Sequence, residues 1–385
     1  MRKFYIVIVL LISFINSYTQ TFRITGKVVD ASNGNSLSLV SIYIKGSNVG
    51  TLSNDDGDFS LDSLKSDQTI TFSYIGYQTQ TLSTKQLTNE IKLVPVATIL
   101  SEVIVSSGAR EYLDLAYNKM LQDSAFTFFA DAFFRQKNQV DDKKVNEIKE
   151  IFYSVRLNSL GLLGSMYKAG RYAIDKKGIH FNNFSNYSRL IQFNTALLSP
   201  KAEEKLIFKI VNKYESDNRS FVDIAYKPKE GNLNEGHLII DTKSGDIVRY
   251  RFTYRPTDKF FDLKIEDPAY SLSNDEKVWV YDCYYTTVDG HTVLEKMKLD
   301  LYFSVIKTGA HPNKLHTSSY FFLYNYATSN KEGSFLTNKF ENDNQKIRFT
   351  DYDPLFWKNN PMIKRTKLEE DAIEGFEKED YFKNK

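Results

Sequence analysis

Three short fragments of this 385-residue chain carry the residue types of nucleophilic chemistry: Ser165-x-x-Lys168, Ser216-Asp217-Asn218 and Lys307-Thr308-Gly309, in that order. A lysine beside a serine on the first turn of a buried helix can take the serine's proton, a second serine can relay protons, and a Lys-Thr-Gly strand can line the cleft. Their surroundings oppose that use. Lys168 runs into Ala169-Gly170-Arg171 and a strand-like stretch where a long helix is required, and Ser216 to Asn218 fall between two strands as an ordinary turn. Metal chemistry fares no better. A zinc peptidase needs His-x-x-Glu so that both side chains reach one metal, but His180, His237, His291, His311 and His316 are followed three residues on by Asn183, Ile240, Leu294, Lys314 and Ser319. Asn54-Asp55-Asp56-Gly57-Asp58 opens like a calcium loop, yet Lys65 stands twelfth, where a bidentate glutamate belongs. A hairpin turn explains it better. The single cysteine, Cys283, sits among aromatic residues and reads as a small buried hydrophobe. No catalytic residue, metal ligand or cofactor site is expected.

The elements that must carry these residues are mostly strands. Between 22 and 95 apolar residues alternate and glycines fall at the turns: Ile42 and Ile44 alternate with Tyr43 and Lys45, and Asp56-Gly57 precedes Phe59 and Leu61. About seven short strands in about 75 residues suggest a β-sandwich. In Gly26-Lys27-Val28-Val29-Asp30, Lys45-Gly46-Ser47, Gly50-Thr51, Asp56-Gly57-Asp58-Phe59 and Phe72-Ser73-Tyr74-Ile75-Gly76-Tyr77 the segment resembles the carboxypeptidase-regulatory-like domain, a transthyretin-like β-sandwich. The resemblance implies a module and a compartment, the Gram-negative cell envelope, and names no reaction. The three serine and lysine fragments also follow the motif order of penicillin-binding proteins and serine β-lactamases. An envelope serine hydrolase with Ser165 as nucleophile is therefore the alternative reading, although no helical domain lies between the first and third fragments.

The chain opens with Arg2 and Lys3, an apolar run from Phe4 to Ile15, and small polar residues around Ser17 and Thr19. That run is too short to span a bilayer and reads as a secretory signal peptide over 1–19. The sandwich is expected over 20–97 and a linker over 98–110, in which Leu100, Glu102, Val103 and Val105 are similar to the segment leading into the plug of outer-membrane nutrient transporters. A larger α+β domain is expected over 111–385. Its first helix shows in Leu113, Ala116, Tyr117, Met120 and Leu121, with Ser107 as N-cap. From Lys205 to Ala327 the pattern is a long antiparallel meander with turns at Ser244-Gly245 and Asp289-Gly290, and the end reads as a charged, exposed helix.

The fold class is thus mainly β: an N-terminal seven-stranded transthyretin-like β-sandwich plus a larger α+β domain with a long antiparallel meander sheet. Residues 108 to 385 resemble, less specifically, a block that follows the regulatory-like domain in envelope proteins of Gram-negative bacteria. Phe133-Phe134-Arg135-Gln136, Glu147 with Glu150, Gly236 to Asp241 and Tyr352 to Trp357 carry that resemblance. The helix and long meander are also similar in pattern to half-barrel lipoprotein carriers. A small outer-membrane barrel is a further competitor, opposed by the helix near 111–122, the charged C-terminus and charges on both faces of strands such as Lys205 to Tyr214.

Lys and Arg total 50 against 48 Asp and Glu, a net charge of +2 without a basic block, which argues against nucleic acid as a partner. Phe126, Phe128, Phe129, Phe133 and Phe134 read as core. The stretch from Asn158 to Met166 is the candidate for ligand or partner binding: Leu160, Leu162, Leu163 and Met166 lie among glycines that deny them regular structure, and mobile apolar loops often cover a ligand or partner surface. Segments around 158–199, which also hold Leu197 and Leu198, are expected to cover one face of the meander. The expected function is that of a non-enzymatic protein exported to the periplasm, in contact with the outer membrane in one version. Its sandwich docks onto an envelope component. Its larger domain binds a partner or an apolar ligand, with no cofactor and no transmembrane anchor in the mature chain.

Overall fold

The computed structural model describes residues 22–47, 49–96, 108–175, 181–182, 195–231, 234–256, 264–265, 269–307, 309–329, 346–347, 349–360 and 362–382. The expected signal peptide, residues 98–107 of the expected linker and the expected cap Ser107 lie outside the described residues. The described chain is mainly β. Seven strands come first: β1 (Phe22–Asp30), β2 (Ser41–Ile44), β3 (Gly50–Leu52), β4 (Asp58–Leu64), β5 (Thr69–Ser73), β6 (Gln80–Ser83) and β7 (Glu90–Leu93). They form two sheets, β4-β1-β7 and β3-β2-β5-β6, and β1 pairs with β7 in parallel. Period-two alternation closes them face to face: Val28, Ile42, Phe59, Leu61, Ile70, Phe72 and Leu93 share one core, while Tyr43 points outward. Gly57 has φ +78°, and a Cβ there would stand 2.6 Å from the Val28 carbonyl oxygen. That turn needs glycine on both counts.

After α1 (Ala109–Asp123) come β8 (Phe128–Val140), β9 (Lys144–Asn158), β10 (Gly161–Ile174), β11 (Phe181–Asn182), β12 (Leu206–Ser216), β13 (Arg219–Pro228), β14 (Asn234–Asp241) and β15 (Ile247–Tyr254). They are followed by β16 (Lys264–Ile265), β17 (Tyr270–Leu272), β18 (Val278–Val288), β19 (His291–Lys307) and β20 (Asn313–Ala327). Eleven of these make one sheet in the order β10-β9-β8-β20-β19-β18-β15-β14-β13-β12, with β17 on β19. Two meanders therefore meet at the β20–β8 pair, where Phe321 lies opposite Phe134 and Tyr320 opposite Arg135. Tight turns close the hairpins. Asp217 and Asn218 have φ +52° and +61°, and Asp289 and Gly290 have +50° and +82°, the left-handed pair that matches strand twist.

The sheet is larger than the sequence pattern implied. Residues 158–199 were expected as cover, but 161–174 form β10, and β8 to β10 extend the sheet. The reason lies in Arg135, Lys137, Glu147 and Glu150, which are buried inside these strands and make them read as a charged segment.

The inner face is covered by α1, which buries Leu113, Ala116 and Met120 in one cluster with Phe134, Ile151, Leu238, Leu299 and Phe321. Full burial of each large side chain contributes about 1.5–3 kcal/mol. Gly245, at φ +79°, lets the helix come close: a Cβ there would lie 2.8 Å from Leu115 Cγ. Phe128, Phe133 and Phe134 are core, whereas Phe126 stays 45% exposed and stacks on His291 at 3.7 Å.

The outer face carries the sandwich and the C-terminal segment, with α2 (Pro354–Asn359) and α3 (Lys367–Lys378). The C-terminal helix, expected to be charged and exposed, is instead packed against the protein. Trp357, Ile363, Ile373 and Phe376 are buried, and Thr366 with Glu369 forms a capping box at the start of α3. The segment's charges hid this, because Arg365 and Glu369 point into the protein and are paired there.

Candidate functional site

Charges join the outer face to its cover. Arg135 on β8 and Glu150 on β9 are direct cross-strand neighbours, and both are almost fully buried. Glu150 Oε1 accepts from Arg135 Nε at 2.6 Å, and Oε2 accepts from Arg171 Nε at 2.6 Å and Arg365 Nη2 at 3.4 Å. Burial works to raise the Glu150 pKa, but the three guanidiniums outweigh it and hold the carboxyl well below its usual range. Arg135 Nη2 also donates to the Ile363 carbonyl at 2.7 Å, fastening the C-terminal segment. From the sandwich comes Asp55, which accepts from Lys298 Nζ at 2.5 Å and from Lys137 Nζ at 3.3 Å. Burial opposes its charge too, and the two ammonium groups prevail and lower its pKa. Thr51 Oγ1 donates to the Met362 carbonyl at 2.6 Å and Asn54 Nδ2 to the Lys364 carbonyl at 3.2 Å. Leu52, Phe133, Trp357 and Ile363 pack together at the same place.

Beside this junction opens a cleft of about 540 Å³ whose walls come from both the sandwich and the sheet. Lys296 lies at its floor, 2% exposed. Its Nζ donates to Ser41 Oγ, lies 3.4 Å from Glu295 Oε2 and stands 5.0 Å from the centre of the Tyr284 ring. Ser41 Oγ in turn donates to Glu295 Oε1 at 2.6 Å. Burial lowers the Lys296 pKa, and Glu295 partly offsets that. The Tyr74 and Tyr284 hydroxyls meet across the cleft at 3.1 Å. Below them Arg249 grips Asp282 with two hydrogen bonds, at 2.8 and 2.7 Å. At the rim Thr79 Oγ1 donates to Asp217 Oδ2 at 2.6 Å.

A serine touching a lysine has the parts of a nucleophile and its base. Here the Ser41 proton goes to Glu295 and the hydroxyl bridges an ion pair, an arrangement that fixes the interface instead of freeing a nucleophile. Among the described residues no group of three or more His, Cys, Asp or Glu side chains is placed to hold a metal.

The residues singled out by sequence are distributed as follows. Leu160 lies in the β9–β10 turn and packs against the inner core, and Leu162 is fully buried in that core. Leu163 and Met166 are partly exposed on β10. Instead of a loop denied structure by its glycines, this stretch is a hairpin: Gly161 pairs with Asn158 and opens β10, and the register shifts between Leu162 and Gly164, which puts Leu163 at a bulge. Ser165 is 2% exposed on β10, and Lys168 reaches Asp131 at 3.0 Å. Ser216 ends β12, the opposite edge strand of the sheet. The three nucleophile fragments are not brought together. Asn54 Oδ1 accepts from the backbone of Asp56 and Asp58 at 3.0 and 2.9 Å, which makes its loop a self-capped turn. Burial pushes the Cys283 thiol pKa up, so it stays protonated.

The sequence shows Asp55 only as part of a turn and gives Lys296 and Lys298 no role. The available signal was on β19, where Lys296, Lys298 and Asp300 alternate with Met297, Leu299 and Leu301: charges on one face of a strand whose other face is core.

Residues 24–105 match the family model described as CarboxypepD_reg-like domain. The N-terminal module is thus a β-sandwich of the regulatory, non-catalytic class. No curated protein matches the chain. Among solved structures, the chain is similar to MucB in the Pseudomonas aeruginosa MucA/MucB complex, with 10% identity over 55% of this chain and 93% of that one at a TM-score of 0.19. A structure of MucB alone gives 10% identity over 56% and 93% at 0.21. Rhodopseudomonas blastica porin gives 7% identity over 51% and 99% at 0.09. Overlaps this low carry no argument about this chain.

Proposed function

We propose that the chain is a non-catalytic, exported cell-envelope binding protein in which the sandwich (20–97) docks on the larger domain (111–385) and the cleft they share receives a partner or an apolar ligand. The supporting observation is the cleft itself. Its lining includes Tyr43, Tyr74, Phe322 and Tyr324, and its floor charges are already paired within the protein. Such a lining recognises by ring contact and hydroxyl hydrogen bonds. The β9–β10 hairpin with Leu160, Leu162, Leu163 and Met166 is a second contact region in this reading, since Leu160, Leu163 and Met166 are apolar yet partly exposed. Among the described residues no helix is long and apolar enough to cross a membrane.

A photoreactive benzoylphenylalanine placed at Tyr43 in cells tests the reading, with the same group at Thr88, an exposed position outside the cleft lining, as control. A discrete adduct from position 43 alone is expected. No adduct, or the same adduct from both positions, contradicts it. Sequencing the mature N-terminus tests export, and cleavage near Thr19-Gln20 is expected. Covalent labelling by fluorescent penicillin that disappears in Ser165→Ala would instead establish the hydrolase alternative.

A further inference from the structure

Among the described residues strand β12 ends the large sheet, with β13 as its strand partner. It is eleven residues long, LIFKIVNKYES, without proline, and its register shift, between Ile210 and Asn212, falls at the end of the stretch from 207 to 211. Edge strands of this length invite pairing unless they are blunted or occupied. Its outward face shows Ile207, 41% exposed, Lys209, and Val211, 43% exposed, while Phe208 and Ile210 are buried in the core. Beside these lies a concavity of about 510 Å³ across β12 to β15. Register explains it: Lys209 faces Ala225, Ala225 faces His237, and His237 faces Arg251, so the small Ala225 leaves a gap between basic side chains. Two neighbours are already engaged. His237 Nδ1 lies 3.0 Å from Asp223 Oδ1, and Glu235 accepts from Arg255 at 2.9 Å. Lys209, Lys227 and Arg251 have no acidic partner among the described residues.

We propose that β12 is a docking edge for an extended acidic segment of another protein, which adds to the sheet along Ile207 to Val211. A strand added there lies about 4.8 Å from β12 and sets its same-face side chains beside Ile207, Lys209 and Val211. The matching pattern is aliphatic-x-acid-x-aliphatic, with backbone hydrogen bonds supplying affinity and the side chains register. Lys227 and Arg251, which have no acidic partner among the described residues, add a field that draws an acidic chain to the edge. Charge decides against a second copy of this strand, which brings Lys209 and Lys213 and no acid before Glu215.

The test uses the full-length protein and a fluorescent peptide containing Val-Thr-Glu-Thr-Val, compared with one in which Lys replaces Glu, by anisotropy at low and high salt. The acidic peptide should bind at least tenfold more tightly, weaken as salt rises, and slow amide hydrogen exchange at 207–211. Lys209→Glu, an exposed change checked for folding by circular dichroism, should weaken it at least tenfold and reverse the preference. Lys227→Glu should weaken it several-fold, giving an independent reading. Equal binding of both peptides, indifference to Lys209→Glu, or exchange protection elsewhere overturns the proposal. So does self-association in sedimentation that Lys209→Glu abolishes, which would assign the edge to a second copy.

Discussion

The two faces of the eleven-strand sheet are buried by opposite means. On the inner face α1 lays Leu113, Ala116 and Met120 against hydrocarbon. On the outer face a smaller apolar cluster surrounds fixed charges, with Glu150 among Arg135, Arg171 and Arg365 and with Asp55 between Lys137 and Lys298. A hydrocarbon face accepts almost any apolar partner of the right shape. A buried charged face accepts only a partner that brings each counter-charge to its place, since an unpaired buried charge is strongly destabilising. The inner face thus provides stability, whereas the outer face fixes where the sandwich and C-terminal segment sit.

The largest expected effects compare the faces directly. Glu150→Ala leaves three guanidiniums facing one another and should destabilise by about 3–5 kcal/mol; Phe134→Ala on the inner face should cost about 3–5 kcal/mol as well. They separate by pH. The folded Glu150 pKa is depressed, so its contribution is fully present above the unfolded value of about 4.3 and is lost as pH falls below that. Urea midpoints measured from pH 7 down to about 2.5 should show an acid limb that Glu150→Gln flattens and Phe134→Ala merely displaces. A limb flattened equally by both breaks the comparison.

Asp55→Asn should cost about 1–3 kcal/mol, with the sandwich becoming more sensitive to limited proteolysis while the larger sheet keeps its protection. Uniform loosening of both would mean that Asp55 does not act at the junction. The smallest effect belongs to Thr366→Ala, which removes the α3 capping box and should cost about 1 kcal/mol in the melting transition. No change there would detach α3 from the stability of the outer face.

What could be read from the chain was local. Ile42 and Ile44 alternating with Tyr43, and Gly57 at a turn, disclose the sandwich because neighbouring residues determine those strands. Leu113, Ala116 and Met120 disclose α1 for the same reason. The β20–β8 pairing could not be read this way, since Phe134 meets Phe321 across most of the larger domain, and the charges in β8 and β9 masked their alternation. The cleft was hidden twice over. Ser41 and Lys296 touch across 255 positions, and each has an ordinary neighbourhood in sequence. Family resemblance marks Arg135 and Glu150, but only the fold makes them a pair.

The sandwich is docked on the outer face of its own chain through the C-terminal segment. Lys364 Nζ lies 3.5 Å from Asp58 Oδ2, with the two side chains 31% and 33% exposed, within reach of a zero-length carbodiimide. Peptide mass spectrometry of the crosslinked monomer should recover Asp58 joined to Lys364. A monomer without that product, or a product confined to crosslinked dimers, would contradict docking within the chain.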